Sequence, residues 1–448
     1  MVKVITYGTY DMLHRGHVRL LERAKALGDY LIVGVTSDAF DKARGKINVK
    51  QSTMERVMAV RALGLADEII IEEYEGQKID DIRRYNVDVF TVGSDWQGKF
   101  DYLKDYCQVI YLPRTEGISS SELRAKERNL RLGLVGEVDF IKKFYREAQA
   151  VNGMHVVGVC SHDDSIREYF AGKLDCVTEQ YESLLPHVDA VFIASHPSQH
   201  ARQISQAIIS GKHVLCESPI ALSRAEYVQL SHQSGEKGLV LMESIKTAYA
   251  TAYYHLMLLV KSGKIGRVVS IDTTCTSIIP AASRSGKYLW NSICAWGPTA
   301  MLPIFQILGT EYVNKQVISR LLDVRTKFDD FTKINFTYTD AVASLRVGNG
   351  VKSEGEMIIS GTKGYIYVPA PWWKTDYFEI RYENPADNQR YFYALEGEGI
   401  RYELLTFLKS AQNGQGGGTY IPPQVTRQII SVIEDFYQGR DFIKLQVM

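Results

Sequence analysis

Two histidines three positions apart, His14 and His17, lie within GTYDMLHRGHVRLL (residues 8–21). The preceding MVKVIT reads as a buried strand, and Leu20, Leu21, Ala24 and Leu27 then share one helical face, with Gly28 at the stop. The histidines therefore fall on a strand-to-helix turn. Helix N–H groups are unpaired there, and together with the macrodipole they attract anions. Gly8 and Gly16 would let backbone approach a ligand closely. Two imidazoles at such a turn can donate to one phosphoryl group. The plainer alternative makes one histidine a helix cap and the other a surface residue.

Three further stretches bear on that choice. DKARGKINVK (41–50) carries Lys42, Arg44, Lys46 and Lys50, as a phosphate-binding or merely solvated loop. VGSDWQGKFDYL (92–103) offers Asp95 beside Trp96, either at a site or as a turn aspartate with a core tryptophan. RTEGISSSEL (114–123) has Ser119 and Glu122 at capping-box spacing. Each stretch follows a short β-branched or aromatic run, and helical patterns such as TMERVMAVRALG separate the runs. That alternation predicts one parallel sheet, and active sites form at the carboxyl ends of such strands. All four stretches then converge on one rim.

A second βα series starts near residue 130, with LRLGLVG, HVVGVCS, DAVFIAS, HVLCES and GLVLMES. From about residue 265 the strands succeed one another with hairpin-like breaks, which predicts a largely antiparallel sheet. The expected architecture is α/β throughout: a Rossmann-like parallel-sheet domain over 1–128, a second Rossmann-like domain over 129–250, and an α/β domain with a mainly antiparallel sheet over 251–448. Lys+Arg and Asp+Glu both number 52, so bulk charge holds neither nucleic acid nor a membrane surface. No apolar run is long enough to span a bilayer, and the N-terminus begins directly with a strand rather than a signal peptide. The six cysteines are scattered without a CxxC pair. A cytoplasmic chain with reduced thiols is expected.

Residues 1–128 resemble the glycerol-3-phosphate cytidylyltransferase family, within the nucleotidyltransferases marked by a HxGH signature. The resemblance rests on ITYGTYDMLHRGHVRLLERAKALGDYL, VDVFTVGSDWQGKFDYLKD and VIYLPRTEGISSSEL. Family members often carry Lys where this chain has Arg44, and ISTT where it has Ser119–Ser121. The resemblance implies that CTP and glycerol 3-phosphate, or a related alditol phosphate, give CDP-glycerol and pyrophosphate with Mg²⁺ accompanying the CTP. It also implies a homodimer, and a role in cell-wall or capsule synthesis. His14, His17, Lys46 and Arg114 would be catalytic, the histidines holding the α-phosphoryl oxygens as charge builds. Thr9, Tyr10, Gly16, Thr115, Ile118, Ser119, Ser120 and Ser121 would complete the CTP site. Arg44 and Lys78 would hold the acceptor phosphate, with Asp11, Asp95 and Trp96 in support and Asp11 available to orient the ion.

The remainder resembles the Gfo/Idh/MocA oxidoreductases, on DAVFIASHPSQHARQISQAIISGKHVLCESPIALS (189–223), LMESIKTAY, VKSGKIGRVVSI and SGTKGYIYVP. A nicotinamide-binding Rossmann domain is implied, but the sequence departs from the family where chemistry belongs. Gly136 is kept, whereas Val138 and Ile141 stand where two more fingerprint glycines are expected. Ser161 and His162 replace an acidic ribose ligand, which suits NADP or no dinucleotide at all. Ser218 takes the place of the family's catalytic lysine, and Ala295 and Thr299 fall where Asp and His are usual. The leading reading is a non-catalytic unit that binds a ligand, dimerises or organises a pathway. The alternative is an active NAD(P)-dependent reductase that supplies or modifies the alditol phosphate and channels it to the first site. In that case Lys246, beside Tyr249 after a strand, becomes the substitute proton donor.

Overall fold

The computed structural model describes the chain except residues 45, 47, 48, 75, 114–128, 279–289, 394, 396–398, 414–420 and 446–448. It divides into two compact units, Met1–Asn129 and Leu130–Met448. Among the described residues no helix is long and apolar enough to cross a membrane.

The first unit is built on strands β1 (Lys3–Gly8), β2 (Tyr30–Thr36), β3 (Glu68–Glu72), β4 (Val89–Gly93) and β5 (Gln108–Leu112). They form one parallel sheet in the order β3-β2-β1-β4-β5. β1 is central because its apolar residues are covered on both faces: Val4 packs among Leu21, Ala24 and Val33, and Ile5 among Ile32, Ile82 and Phe90. Strand order reverses between β1 and β4, and such a switch opens a crevice at the carboxyl ends. Helix α1 (Arg15–Lys25) leaves that crevice and buries Leu21 and Ala24. Helices α2 (Asp38–Ala43) and α3 (Thr53–Ala62) follow β2, and α4 (Gln77–Tyr85) follows β3. A full capping box between Ser52 and Glu55 starts α3, satisfying amides that the helix cannot.

The second unit opens with six parallel strands, β6 (Leu130–Val135), β7 (Met154–Cys160), β8 (Cys176–Thr178), β9 (Ala190–Ile193), β10 (His213–Glu217) and β11 (Leu241–Ser244). Their order is β11-β10-β9-β6-β7-β8, with the switch between β6 and β9. The first helix of this half, Phe140–Ala148, docks on the sheet through Phe144, whose ring stacks on Phe192 at 3.6 Å. A nine-stranded sheet follows: β12 (Val268–Thr276), β13 (Asn314–Asp323), β14 (Phe328–Thr337), β15 (Val342–Gly348), β16 (Met357–Gly361), β17 (Tyr365–Val368), β18 (Tyr377–Arg381), β19 (Gln389–Phe392) and β20 (Phe442–Leu445). It is mostly antiparallel, as the hairpin-like breaks predict, but β12–β15 and β13–β20 pair in parallel.

Candidate functional sites

His14 is the N-cap of α1, and its Nδ1 accepts the Gly16 N–H at 3.0 Å. The ring proton therefore resides on Nε2, which becomes its donor. The imidazole of His17 stacks on that of His14, centroids 3.9 Å apart and planes 21° off parallel. Capping and pairing thus coexist in His14. Tyr10 meets His17 edge-on at 5.5 Å and is buried. It also accounts for Gly8: a Cβ there would stand 2.9 Å from the tyrosine ring, so the glycine makes room for Tyr10 rather than for a ligand. Burial raises the Tyr10 hydroxyl well above the ordinary phenol range, which keeps it neutral.

The turn between β1 and α1 is held against the segment before α3. Tyr10 and Met12 both take positive φ, 54° and 47°. Such backbone persists only where its surroundings over-determine it. Here Asp11, almost wholly buried, accepts the N–H groups of Lys50 and Gln51 at 3.0–3.2 Å, and Met12 N–H donates to Gln51 Oε1 at 2.8 Å. These hydrogen bonds clamp the histidine turn to the segment before α3. Among the described residues no three His, Cys, Asp or Glu side chains gather as a metal cluster.

Lys46 Nζ donates to Thr9 Oγ1 at 2.9 Å, and that hydroxyl donates to Asp41 Oδ1 at 2.9 Å. Asp41 is fully buried, and burial pushes its carboxyl pKa up against the pull of Lys46, Thr9, Arg44 and Arg56. Arg44 and Lys78, the two cations expected to hold an acceptor phosphate, converge on one carboxylate at the end of β3. Arg44 Nη2 lies 3.8 Å from Glu72 Oε2, and Lys78 Nζ ion-pairs with Glu72 Oε1. Thr36 Oγ1 donates to the same group at 2.8 Å. Lys78 also stands 4.7 Å from the Tyr7 ring centroid and 5.5 Å from that of Phe100.

Sequence reading missed Glu72, Asp41 and Arg56. Arg56 is fully buried, yet its guanidinium reaches Thr9 O at 2.6 Å, Thr36 O at 2.7 Å, Gln51 O at 3.0 Å and the Asp38 carboxylate. It joins the carboxyl ends of β1 and β2. Trp96 is 39% exposed, in a short turn (Ser94–Trp96) directly after β4, so it is not a core tryptophan. Asp95 beside it is exposed, and Lys99 Nζ lies 5.1 Å from the Trp96 ring. Arg114, Thr115, Ile118, Ser119, Ser120 and Ser121 lie outside the described residues.

In the second unit Gly136 closes β6 with φ +142°, and a Cβ there would stand 2.5 Å from Ala194 O. Only glycine permits this approach of the β6 and β9 ends. Glu137 follows, its side chain nearly buried and its carboxylate 3.1 Å from His162 Nδ1. Ile141 is fully buried. Ser161 is also buried, its hydroxyl accepting the Asp163 N–H at 3.1 Å as part of a turn.

A cavity of about 440 Å³ is lined by Val138, Phe140 and Ala194 from the strand-end turns, by Glu217 and Lys246, by Ala295 and Thr299, and by Trp290, Trp296 and Trp373. Ser218 does not share this arrangement: its hydroxyl hydrogen-bonds the Glu243 carboxylate, and Glu243 lines a different cavity with Tyr227, Tyr249 and Thr426. Burial raises the Glu217 carboxyl to about 7, against the lowering pull of Lys246 and Ser244. The Ser244 hydroxyl lies 2.9 Å from Glu403 Oε2 and 3.5 Å from Glu217 Oε1. Burial and the neighbouring Glu217 hold Glu403 well above the usual carboxylate range.

Comparison with known proteins follows the same division. A cytidylyltransferase-like family model matches residues 5–126, and an oxidoreductase-family model with an NAD-binding Rossmann fold matches residues 130–244. The glycerol-3-phosphate cytidylyltransferase of Bacillus spizizenii is 51% identical over 124 residues, covering 28% of this chain and 95% of that protein. The trans-1,2-dihydrobenzene-1,2-diol dehydrogenase of Bos taurus is 24% identical over 294 residues, covering 62% of this chain and 87% of that one. A solved 3-ketoreductase of Actinomadura kijaniata, in complex with NADP, shares the fold of the second unit. Its TM-score is 0.61 at 18% identity, over 71% of this chain and all of that one. The chain therefore belongs to the glycerol-3-phosphate cytidylyltransferase family through its first unit, and joins to it a unit whose residues 130–244 match the oxidoreductase family with an NAD-binding Rossmann fold.

Proposed function

We propose that the first unit transfers a cytidylyl group from CTP to glycerol 3-phosphate or a related alditol phosphate, releasing pyrophosphate. The observation that carries this is the stacked His14–His17 pair at the mouth of the β1–β4 crevice, with the His14 proton directed to Nε2 by the Gly16 amide. A phosphate oxygen of the acceptor attacks the α-phosphorus in line, a P–O bond to it forms, and the bond to pyrophosphate breaks. Positioning and charge stabilisation carry such transfers, so no side chain need act as nucleophile. The two imidazoles hold the α-phosphoryl oxygens. Lys46, anchored on Thr9, holds the departing phosphates. Arg44 and Lys78, gathered by Glu72, receive the acceptor phosphate. Mg²⁺ travels with the nucleotide. Incubation with CTP, sn-glycerol 3-phosphate and Mg²⁺ should give CDP-glycerol by mass spectrometry. Conversion of ribitol or erythritol phosphate instead would reassign the acceptor.

For the second unit, the withdrawal of Ser218 to Glu243 and the presence in the cavity wall of Ala295 and Thr299, which supply neither acid nor imidazole, support a non-catalytic, ligand-binding role. One observation favours the reductase alternative: Lys246 and Glu217 line the same cavity, immediately beyond the ends of β11 and β10. The Gly136 turn and the uncapped N-terminus of the Phe140–Ala148 helix fit a dinucleotide pyrophosphate, which helix amides attract. NAD(P)H bound there would supply hydride. Calorimetry with NADH and NADPH tests the reductase's first requirement, since absence of binding excludes it, and enzyme-dependent oxidation of the bound dinucleotide by a carbonyl substrate then separates a reductase from a unit that only binds.

A further inference from the structure

We propose that Lys246 is the proton donor of the second unit's cavity, and that Glu217, Ser244 and Glu403 form the path that returns its proton. This rests on the reductase reading of that unit.

The assignment starts from placement. Lys246 opens a short turn (Lys246–Tyr249) directly after β11, and Thr247 pins that turn by donating to Trp373 O at 2.8 Å. Its ammonium enters the cavity beside the Phe140 ring, 5.5 Å from the centroid. Two carboxyls on separate elements feel its charge, Glu217 at the end of β10 and Glu403 on the helix Ile400–Asn413, with Ser244 of β11 between them and Glu243 of β11 acting on Glu217. Lys246 acts electrostatically on both Glu217 and Glu403, whereas Glu243 is occupied by Ser218. Ser244 stands between Glu217 and Glu403, so one hydroxyl can accept a proton from one carboxyl while giving its own to the other. One hydroxyl thus links a buried carboxyl to Glu217, which lines the cavity together with Lys246. Glu403 provides the reserve, because burial raises its carboxyl well above the usual carboxylate range and so favours the proton-bearing form.

The substrate class follows from the walls. Trp290, Trp296 and Trp373 offer flat apolar faces, while Thr299 and Asn349 offer hydrogen bonds. A small polyhydroxylated ketone or aldehyde fits that mixture. Hydride addition to its carbonyl carbon, at the expense of a dihydronicotinamide, breaks the C=O π bond. The carbonyl oxygen takes the proton of the Lys246 ammonium and becomes a hydroxyl. The neutral amine regains a proton from Glu217, and Glu217 from Glu403 through Ser244. Two electrons and two protons are thus accounted for in the hydride and the ammonium proton.

Two measurements on the full chain test this. Carbon-13-labelled glutamate is incorporated, and the Glu217 carboxyl signal, identified by its loss in Glu217→Gln, is titrated by NMR. The Lys246 ammonium pulls the Glu217 carboxyl down from where burial alone would hold it, so Lys246→Met should move the Glu217 midpoint up from about 7. A midpoint unmoved in Lys246→Met overturns the coupling and the proposal with it. Oxidation of NADH or NADPH is then followed with a panel of triose and ketose phosphates. Lys246→Arg keeps the charge, but guanidinium does not give up a proton at neutral pH. It should bind dinucleotide normally and lose at least about a hundredfold in turnover, the scale of general acid catalysis. Dinucleotide binding with turnover unchanged in Lys246→Arg overturns the donor while leaving the reductase standing. No dinucleotide binding at all fells the reductase reading, and the donor with it.

Discussion

Replacing Arg56 by Met should be among the most damaging single changes available to the first unit. The side chain is fully buried and serves three backbone carbonyls, of Thr9, Thr36 and Gln51, as well as Asp38. It also lies 3.6 Å from Asp41, which is itself fully buried. Methionine matches the stem but leaves those oxygens without a donor and Asp41 without its deepest cation. Removing one partner of a buried pair costs roughly 3–5 kcal/mol. At about 4 °C per kcal/mol for a domain of this size, the melting temperature should fall by roughly 12–20 °C. Scanning calorimetry of the full chain reads this as a downward shift of one transition. The shift should shrink on acidification. Asp41 already has a folded-state pKa above its unfolded value, and losing Arg56 raises it further. The folded state then binds the proton more tightly than the unfolded, so stability falls as pH rises above the ordinary carboxylate range near about 3.9 and recovers as pH is lowered towards it. Arg56→Lys should lie between, because one ammonium cannot reach the same set of acceptors. A melting temperature within about 3 °C of the parent for Arg56→Met would refute the reasoning.

His14→Ala and His17→Ala should each cut cytidylyl transfer about a hundred- to a thousandfold, as loss of a preorganised donor does, with the circular dichroism spectrum retained; near-normal turnover in both would return them to structural roles. Arg44→Ala and Lys78→Ala should raise the KM for glycerol 3-phosphate, and Lys46→Ala that for CTP; the opposite split in steady-state kinetics would exchange their assignments. Gly8→Ala forces a Cβ to 2.9 Å from the Tyr10 ring, so a loss of about 1–3 kcal/mol in denaturant unfolding is expected.

Much of the first site was legible because the chemistry is sequence-local. The histidine turn, the basic loop and the Asp95–Trp96 turn each follow a strand, and parallel topology sends them to one rim. What stayed hidden was the support. Arg56 sits in TMERVMAVRA, where a cation on an amphipathic helix looks solvated whether or not the tertiary fold closes over it. Glu72 ends β3, and nothing local says that two cations from other elements will meet it. Gly8 was visible as a glycine but not as the space for a ring two residues on. Asp11, in the same turn, was read as a group for an ion, although its partners are amides some forty positions away. In the second unit, β20 pairs with β13 across more than a hundred residues, a partnership that no local pattern announces. The departures at 138, 141 and 218 were plain in the sequence, but the meeting of Lys246, Glu217 and Glu403 needed three separate elements.

Glu72 has one further consequence on the proposed assignment. An incoming phosphomonoester must displace a carboxylate from both Arg44 and Lys78, so a dianion has the advantage over a monoanion. The acceptor arrives as a largely dianionic monoester at neutral pH, its second ionisation lying near about 6. Once joined to the cytidylyl group, the same phosphorus carries a single charge. The carboxylate then competes on better terms, returns to its cations, and eases the nucleotide product out. Selectivity on entry and release on exit would both come from one side chain, and CDP-glycerol should compete with glycerol 3-phosphate less well than inorganic phosphate does.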